Sequence, residues 1–438
     1  MAGGTWTTQT KARPGVYINF VGERKLAANI GERGVVSVPL VLGWGAPGAV
    51  MAIHAGDDVK NMLGYDLTAP ELLLVREALK RAKTLLLYRL NTGVKAAAIV
   101  GGLTATAKYG GVRGNDITIT VQENVDDEAL FDVTTFLAGE QVDSQTVPNA
   151  AGLRSNSYVD FSGTDALALS AGVPLVGGAN GTVTNQNYID YLSTIELHEF
   201  NTIALVSNDD SLKSVYTAFV RRLREDEGRK IQVVLSNYLS ADQEGVISVK
   251  NGVKLADGTI IPSDKATVWV AGATAGAAMN ESLTYTAYEN AVDVDIRYTN
   301  TQIEAALQNG EFVFTTNSGG VIVEQDINSM TAYVQGKNKS FSKNRVIRVL
   351  DGIANDLKRL FESSYIGKID NNADGRDLFR SEIVKYLELV QNFNAIQNFD
   401  SQADLTVAAG EDSDAIVIEA HIQPVDSVEK VYMKVTVK

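Results

Sequence analysis

Asp370, Asn372, Asp374 and Gly375 could begin a calcium loop, because alternating oxygen donors followed by a turn-making glycine open an EF-hand. The pattern breaks further on: the twelfth position is Ser381 rather than a bidentate glutamate, Glu382 falls one residue late, and the usually apolar eighth position is Asp377. The stretch therefore reads as a turn between two helices, with Asp and Gly as caps. Gly272 and Gly276 frame Ala271–Ala277 after an apparent strand, but GxGxxG spacing and a terminal Gly-Lys-Ser/Thr are both missing, so a tight packing joint replaces the phosphate loop. His54, His198 and His421 fall in different segments, and none has a second histidine at metal-binding spacing. With no GxSxG elbow and no cysteine in the sequence, we assign no catalytic residue, no cofactor and no metal ligand.

The remaining chemistry is electrostatic. Residues 336–345, Gly-Lys-Asn-Lys-Ser-Phe-Ser-Lys-Asn-Arg, form a basic island in a chain of formal net charge -14, and Arg348, Lys358 and Arg359 continue it. In most proteins such an island is a solvated surface; against so acidic a background it also suits docking to an acidic partner. The overall charge argues against sequence-independent binding to nucleic acid, which needs basic surface to displace phosphate counterions. The first residues lack the apolar core of a secretion signal and no run reaches membrane-span length, which predicts a cytoplasmic product with no membrane partner.

The elements carrying these residues follow from periodicity. Residues 1–20 read as an extended arm in which Val16-Tyr17-Ile18 is apolar but too short to stand alone. A strand over Val35–Leu42 precedes the turn-rich 43–48. Thr68 and Glu71 then form a capping box for a helix through Leu72, Val75, Leu79 and Ala82, ahead of a strand over Thr84–Leu90. From about 94 to 176 the texture becomes short β-branched runs between Gly, Asn and Asp turns.

Strands over Thr202–Val206, Ile231–Leu235, Thr267–Ala271 and Phe312–Thr315, with a helix from Asp210 to Glu227, predict a partly parallel sheet with helical cover. Asn251-Gly252 and Asp257-Gly258 mark hairpin turns. Two amphipathic helices, Arg345–Glu362 and Asp377–Val390, come next. In the first, Ile347, Leu350, Ile353, Leu357 and Leu360 recur at helical spacing, leaving the opposite face free for charge. At the C-terminus Val431, Met433, Val435 and Val437 alternate with polar residues and Tyr432, which is a strand pattern. The fold class is α/β and α+β multidomain: a partly parallel α/β sheet core, an inserted β-rich domain and extended N- and C-terminal arms.

Several stretches together resemble the contractile tail-sheath family of phages and phage-like particles of Gram-positive bacteria. They include Arg13-Pro14-Gly15-Val16-Tyr17, residues 107–115 (Ala-Lys-Tyr-Gly-Gly-Val-Arg-Gly-Asn), Leu175-Val176-Gly177-Gly178 and Val270-Ala271-Gly272. Glu324–Ser329, Asn344–Arg348, Tyr365–Lys368 with Asn371-Asn372, and Gln423–Met433 complete the series. The resemblance implies a structural subunit, not an enzyme, forming hexameric rings stacked helically around an inner tube and contracting to drive that tube through a bacterial envelope. Implied partners are further copies of the chain, the inner tail tube protein, and the baseplate and tail terminator proteins. Assembly is expected in the host cytoplasm, followed by release as a virion tail or phage-tail-like particle.

On this reading the domains are an arm (1–20), an N-terminal α/β part of the core (21–94), a β-rich peripheral domain (95–176), a central α/β domain (177–340), a helical and strand domain facing the tube (341–427) and a C-terminal arm strand (428–438). Val16, Tyr17, Ile18, Val431, Met433, Val435 and Val437 are the candidate inter-subunit strands. Lys337, Lys339, Lys343, Arg348, Lys358 and Arg359 are the candidate tube-facing cations. Two other classes are set against this reading: a hydrolase built on the α/β region, and a surface-binding module built on the β-rich domain.

Overall fold

The structure, a computed structural model, describes residues 2–4, 15–17, 30–164 and 166–437. Its centre is a seven-stranded sheet in the order Glu311–Phe312, Val246–Val249, Gln232–Ser236, Thr202–Ala204, Val35–Leu40, Thr84–Arg89, Val50–His54. All neighbours are parallel except Val50–His54, which returns antiparallel to Thr84–Arg89. Parallel strands need cover on both faces. The helices supplying it, and those that follow, are α1 (Lys60–Leu63), α2 (Leu73–Leu79), α3 (Asn185–Ile195), α4 (Asp210–Glu225), α5 (Ser263–Gly276), α6 (Asn300–Gln308), α7 (Asn344–Ser364) and α8 (Ala373–Asn392). One face packs on α2 and α5 through Val36, Val38, Leu85 and Trp269; the other packs on α3 and α4 through Leu86, Tyr191, Tyr216 and Ile203. Val35–Leu40 and Thr202–Ala204 pair directly, so the sheet is continuous across the sequence that the β-rich domain interrupts.

Several sequence expectations change. Thr267–Ala271 is not a strand but the middle of α5, where every residue from Ala266 to Ala275 is buried. An apolar run buried on all sides has no period to distinguish helix from strand, and Thr267, Val268 and Val270 gave it a β-like composition. Gly272 and Gly276 do mark a packing joint, but one between helices: a Cβ on them would sit 2.4 Å from the Ala78 carbonyl oxygen and 1.9 Å from that of Arg81. The box at Thr68 and Glu71 does not form. A 3-10 turn over Pro70–Leu72 leads into α2, and Arg76 donates to the Leu67 and Ala69 carbonyls at 2.7 and 2.6 Å.

Asp257-Gly258 does turn a hairpin, with Gly258 at φ +88° between Val253–Leu255 and Ile260–Ile261. Asn251-Gly252 does not: buried Asn251 instead brackets the Phe314 backbone, accepting from its N–H at 2.9 Å and donating to its carbonyl at 3.0 Å. Phe312–Thr315 divides between the central sheet and a hairpin of Phe314–Asn317 with Gly320–Val323.

Residues 97–174 fold into two packed sheets, in the orders Glu140–Val147, Phe131–Leu137, Ile117–Glu123, Ser170–Pro174 and Val159–Ser162, Leu103–Ala107, Ala97–Val100. Its interior is continuous with the central core, because Trp44, fully buried, meets Tyr109 edge-on at 5.4 Å and Tyr158 at 6.1 Å. Arg89 reaches across the joint to the Gly45 and Gly110 carbonyls, each at 2.6 Å, while Asn115 exchanges two hydrogen bonds with the Gly178 backbone. Burial pushes the Arg89 guanidinium down to about 10, so it remains charged at neutral pH.

Candidate assembly site

α7 has two buried faces. Its apolar residues Val349 and Ile353 pack with Ile383, Tyr386 and Leu387 of α8 and with Leu405 beyond it. On the other side Asn344, Arg348, Asp351 and Asn355, at helical spacing, each find a partner in the central domain. Asn344 donates to Asp326 at 2.9 Å and accepts from Gln232 at 3.1 Å; Arg348 reaches Asp326 at 3.1 Å. Asp351 accepts two bonds from Arg224 at 2.6 and 2.9 Å, and Asn355 exchanges bonds with the Lys230 backbone. Burial alone would lower the Arg224 pKa, but the Asp351 carboxylate more than offsets it and the net shift is upward. Breaking one partner of such a buried pair costs about 3–5 kcal/mol, because a charge is left uncompensated.

This arrangement corrects the expectation that the face of α7 opposite its apolar stripe is free. Arg348 is wholly buried and belongs to the fold, not to an exposed cationic surface. The signal was in the sequence: Asn344, Arg348, Asp351 and Asn355 form a second stripe, and a polar stripe can be buried when the facing elements supply complementary groups.

The other cations of the island are variously engaged. Lys337 pairs with Glu244 at 2.8 Å and Lys343 with Glu429, while Lys339 is exposed. Lys358 donates to the Glu227 carbonyl and lies 3.9 Å from Glu362; Arg359 pairs with Asp356 at 2.7 Å yet stays mostly exposed. Asp370 to Gly375 does not form a ligand ring: Asn372 Oδ1 accepts the Gly375 N–H at 2.8 Å and so caps α8. Among the described residues no three His, Cys, Asp or Glu side chains are grouped to hold a metal ion.

The two chain ends differ. Gly15–Tyr17 pairs in parallel with Ala2–Gly4, so Val16 and Tyr17 already have a backbone partner in this chain; Ile18 lies outside the described residues. At the other end, Gln423–Pro424 pairs with Ile396–Gln397, the Val425 N–H donates to Ala395, and Glu429 is held by side chains from three segments. Beyond it Val431, Met433, Val435 and Val437 are 72 to 90% exposed, and no strand includes them among the described residues. An alternating segment with no ladder partner offers unused backbone donors and acceptors along its whole length.

Comparison with known proteins gives a consistent answer along the chain. Successive family models match: the tail sheath protein Gp18 domain III N-terminal region over residues 33–90, the phage tail sheath protein beta-sandwich domain over 91–180, the phage tail sheath protein central domain over 181–329 and the phage tail sheath C-terminal domain over 336–438. A solved sheath tail protein from Desulfitobacterium hafniense is 59% identical, with 97% of this chain and 100% of that one covered at a TM-score of 0.88. A second, from Listeria innocua, is 43% identical, with 92% and 95% covered at 0.81. The phage-like element PBSX protein XkdK of Bacillus subtilis is 41% identical across the whole of both chains.

Proposed function

This chain belongs to the phage tail sheath family, and we propose that its copies polymerise as hexameric rings stacked helically around an inner tube and contract to drive the tube through an envelope. The observation that carries the reading is the C-terminal segment, whose alternating apolar residues project unpaired from an otherwise well-packed body. Val431, Met433, Val435 and Val437 would each gain roughly 1.5–3 kcal/mol on full burial against a neighbour, in addition to main-chain pairing. Strand addition also joins bodies that must slide past one another, because the bonds belong to the arm and not to the sliding surfaces. Residues 16–18 would join a neighbour at the N-terminus through the edge of Gly15–Tyr17 that its pairing with Ala2–Gly4 leaves open. A subunit with unlike, complementary surfaces gives the heterologous contacts that stacked rings need.

The role is structural, with no catalysis. Contraction then draws on energy stored at assembly, in an extended lattice held behind a kinetic barrier. The boundaries at 94/95 and 176/177, and at 340/341 and 427/428, mark the peripheral and tube-facing domains. Lys337, Lys339, Lys358 and Arg359 are the cations available to face an acidic tube; Lys343 is committed to Glu429. Further partners are the baseplate and tail terminator proteins, with assembly in the producing cell's cytoplasm and release by lysis. Negative-stain electron microscopy of the purified full-length chain tests the reading. Long hollow tubes are expected, and a product that stays monomeric at all concentrations, alone or with tube protein, contradicts it.

A further inference from the structure

We propose that Glu429 is the pin that fixes the root of the C-terminal arm to a buried ionic hub under α7, so that arm motion begins at Lys430 and force on the arm passes into that helix. The proposal rests on the arm acting between subunits. The Glu429 side chain is only 10% exposed and accepts hydrogen bonds from Thr284 Oγ1 at 2.9 Å, Gln325 Nε2 at 2.6 Å and the Lys343 ammonium. Burial raises its pKa, but the bonds from Lys343 and Gln325 outweigh burial and hold the carboxyl below its ordinary value, so it is ionised at neutral pH.

All three donors adjoin one residue, Asp326, through its backbone or its carboxylate. Thr284 Oγ1 accepts the N–H of Asp326, Gln325 precedes Asp326 in the chain, and Lys343 precedes Asn344, which donates to Asp326 at 2.9 Å. Asp326 also accepts from the Leu283 N–H at 3.0 Å and from Arg348, and both side chains of the Asp326–Arg348 pair are fully buried. Val428, immediately before the pin, is 86% exposed, so apolar packing of that residue does not hold the root. Charge-assisted bonds from three directions fix a position as well as a distance. A flexible arm whose first residue moved freely would transmit little of a neighbour's pull to the body.

The absence of cysteine allows a clean test in the full-length chain. Nitroxide labels are attached through Val428→Cys or, separately, Met433→Cys, and the spectra are read on soluble monomer. The label at 428 is expected to be slow and that at 433 fast. Glu429→Ala and Lys343→Met should each bring the 428 label to the mobility of the 433 label, whereas Lys343→Arg should leave it slow. A 428 label equally mobile before and after Glu429→Ala, or slow in both, overturns the pin. Far-ultraviolet circular dichroism confirms that each variant is folded, and Glu429→Gln serves if the alanine variant is not. Tube formation is scored separately. If chains lacking the arm still polymerise, arm exchange fails; the label data decide the pin either way.

Discussion

Two segments leave the central core, and they are built in opposite ways. At the joint with the β-sandwich the interior is closed: Trp44 is buried between the two bodies, Arg89 spans them, and a Cβ on Gly111, at φ +139°, would lie 2.1 Å from the Gly43 carbonyl oxygen. At the C-terminal arm everything is open beyond a single pinned residue, and Tyr432 and Val437 are 91% and 90% exposed. Buried packing of the first kind fixes relative orientation and contributes to folding stability. An unpartnered segment of the second kind adds little to folding and leaves its backbone groups open. The sandwich is thus a rigid attachment of the subunit, whereas the arm adds little to the subunit and, on the function proposed above, serves the polymer.

The sharpest way to break this contrast is to cut the arm. A chain ending at Glu429 should lose tube formation altogether, seen as monomers in sedimentation, while its thermal midpoint stays within a degree or so of full length, because surface segments without contacts change stability by at most about 0.5 kcal/mol. Persistent tubes would dismiss the arm as the connecting element. Trp44→Ala should do the reverse, costing about 3–5 kcal/mol in denaturant titration while leaving the folded chain able to polymerise at low temperature. A loss below about 1 kcal/mol would mean the joint is looser than its packing indicates. The smallest effect is expected from reversing Lys339 to Glu, which touches neither segment: stability should change little, and co-assembly with the tube protein should weaken at low salt and recover as salt screens the contact. An effect as large as that of cutting the arm would shift the main contact from strand to charge.

How much of this could be read from residues depended on whether burial leaves a period. Residues 94–176 were legible as short β-branched runs, and in one of them Ile117, Ile119 and Val121 alternate with Thr118 and Thr120 and form the buried face. Val431–Val437 alternates in the same way, but those residues are exposed and belong to no strand among the described residues, so the alternation there marks no buried face. α5 could not be read, since a helix surrounded by sheet, α2 and the 250–330 excursion is apolar in every direction. The second face of α7 was missed because charged residues were taken to mean solvent. The partners that neutralise Arg348 and Asp351 lie at Asp326 and Arg224, and that Arg224 meets Asp351, 127 residues on, is invisible without the fold. Lys343 misled in the same way: as a letter in a basic island it suggested an external partner, whereas it holds Glu429, 86 residues later.

The contact between α2 and α5 bears on how this sequence can drift. Gly272 is buried and Gly276 half-buried, and at either position even an alanine would drive a methyl group into the Ala78 or Arg81 carbonyl. Relief would require α2 to back away from the sheet it covers, and with it the strand Thr84–Arg89 that begins just beyond. Lineages of this chain are thus expected to hold both positions fixed. A mutational scan scored on particle formation would then show its least tolerant sites deep inside the subunit, a pattern to be read as helix spacing and not as a binding surface.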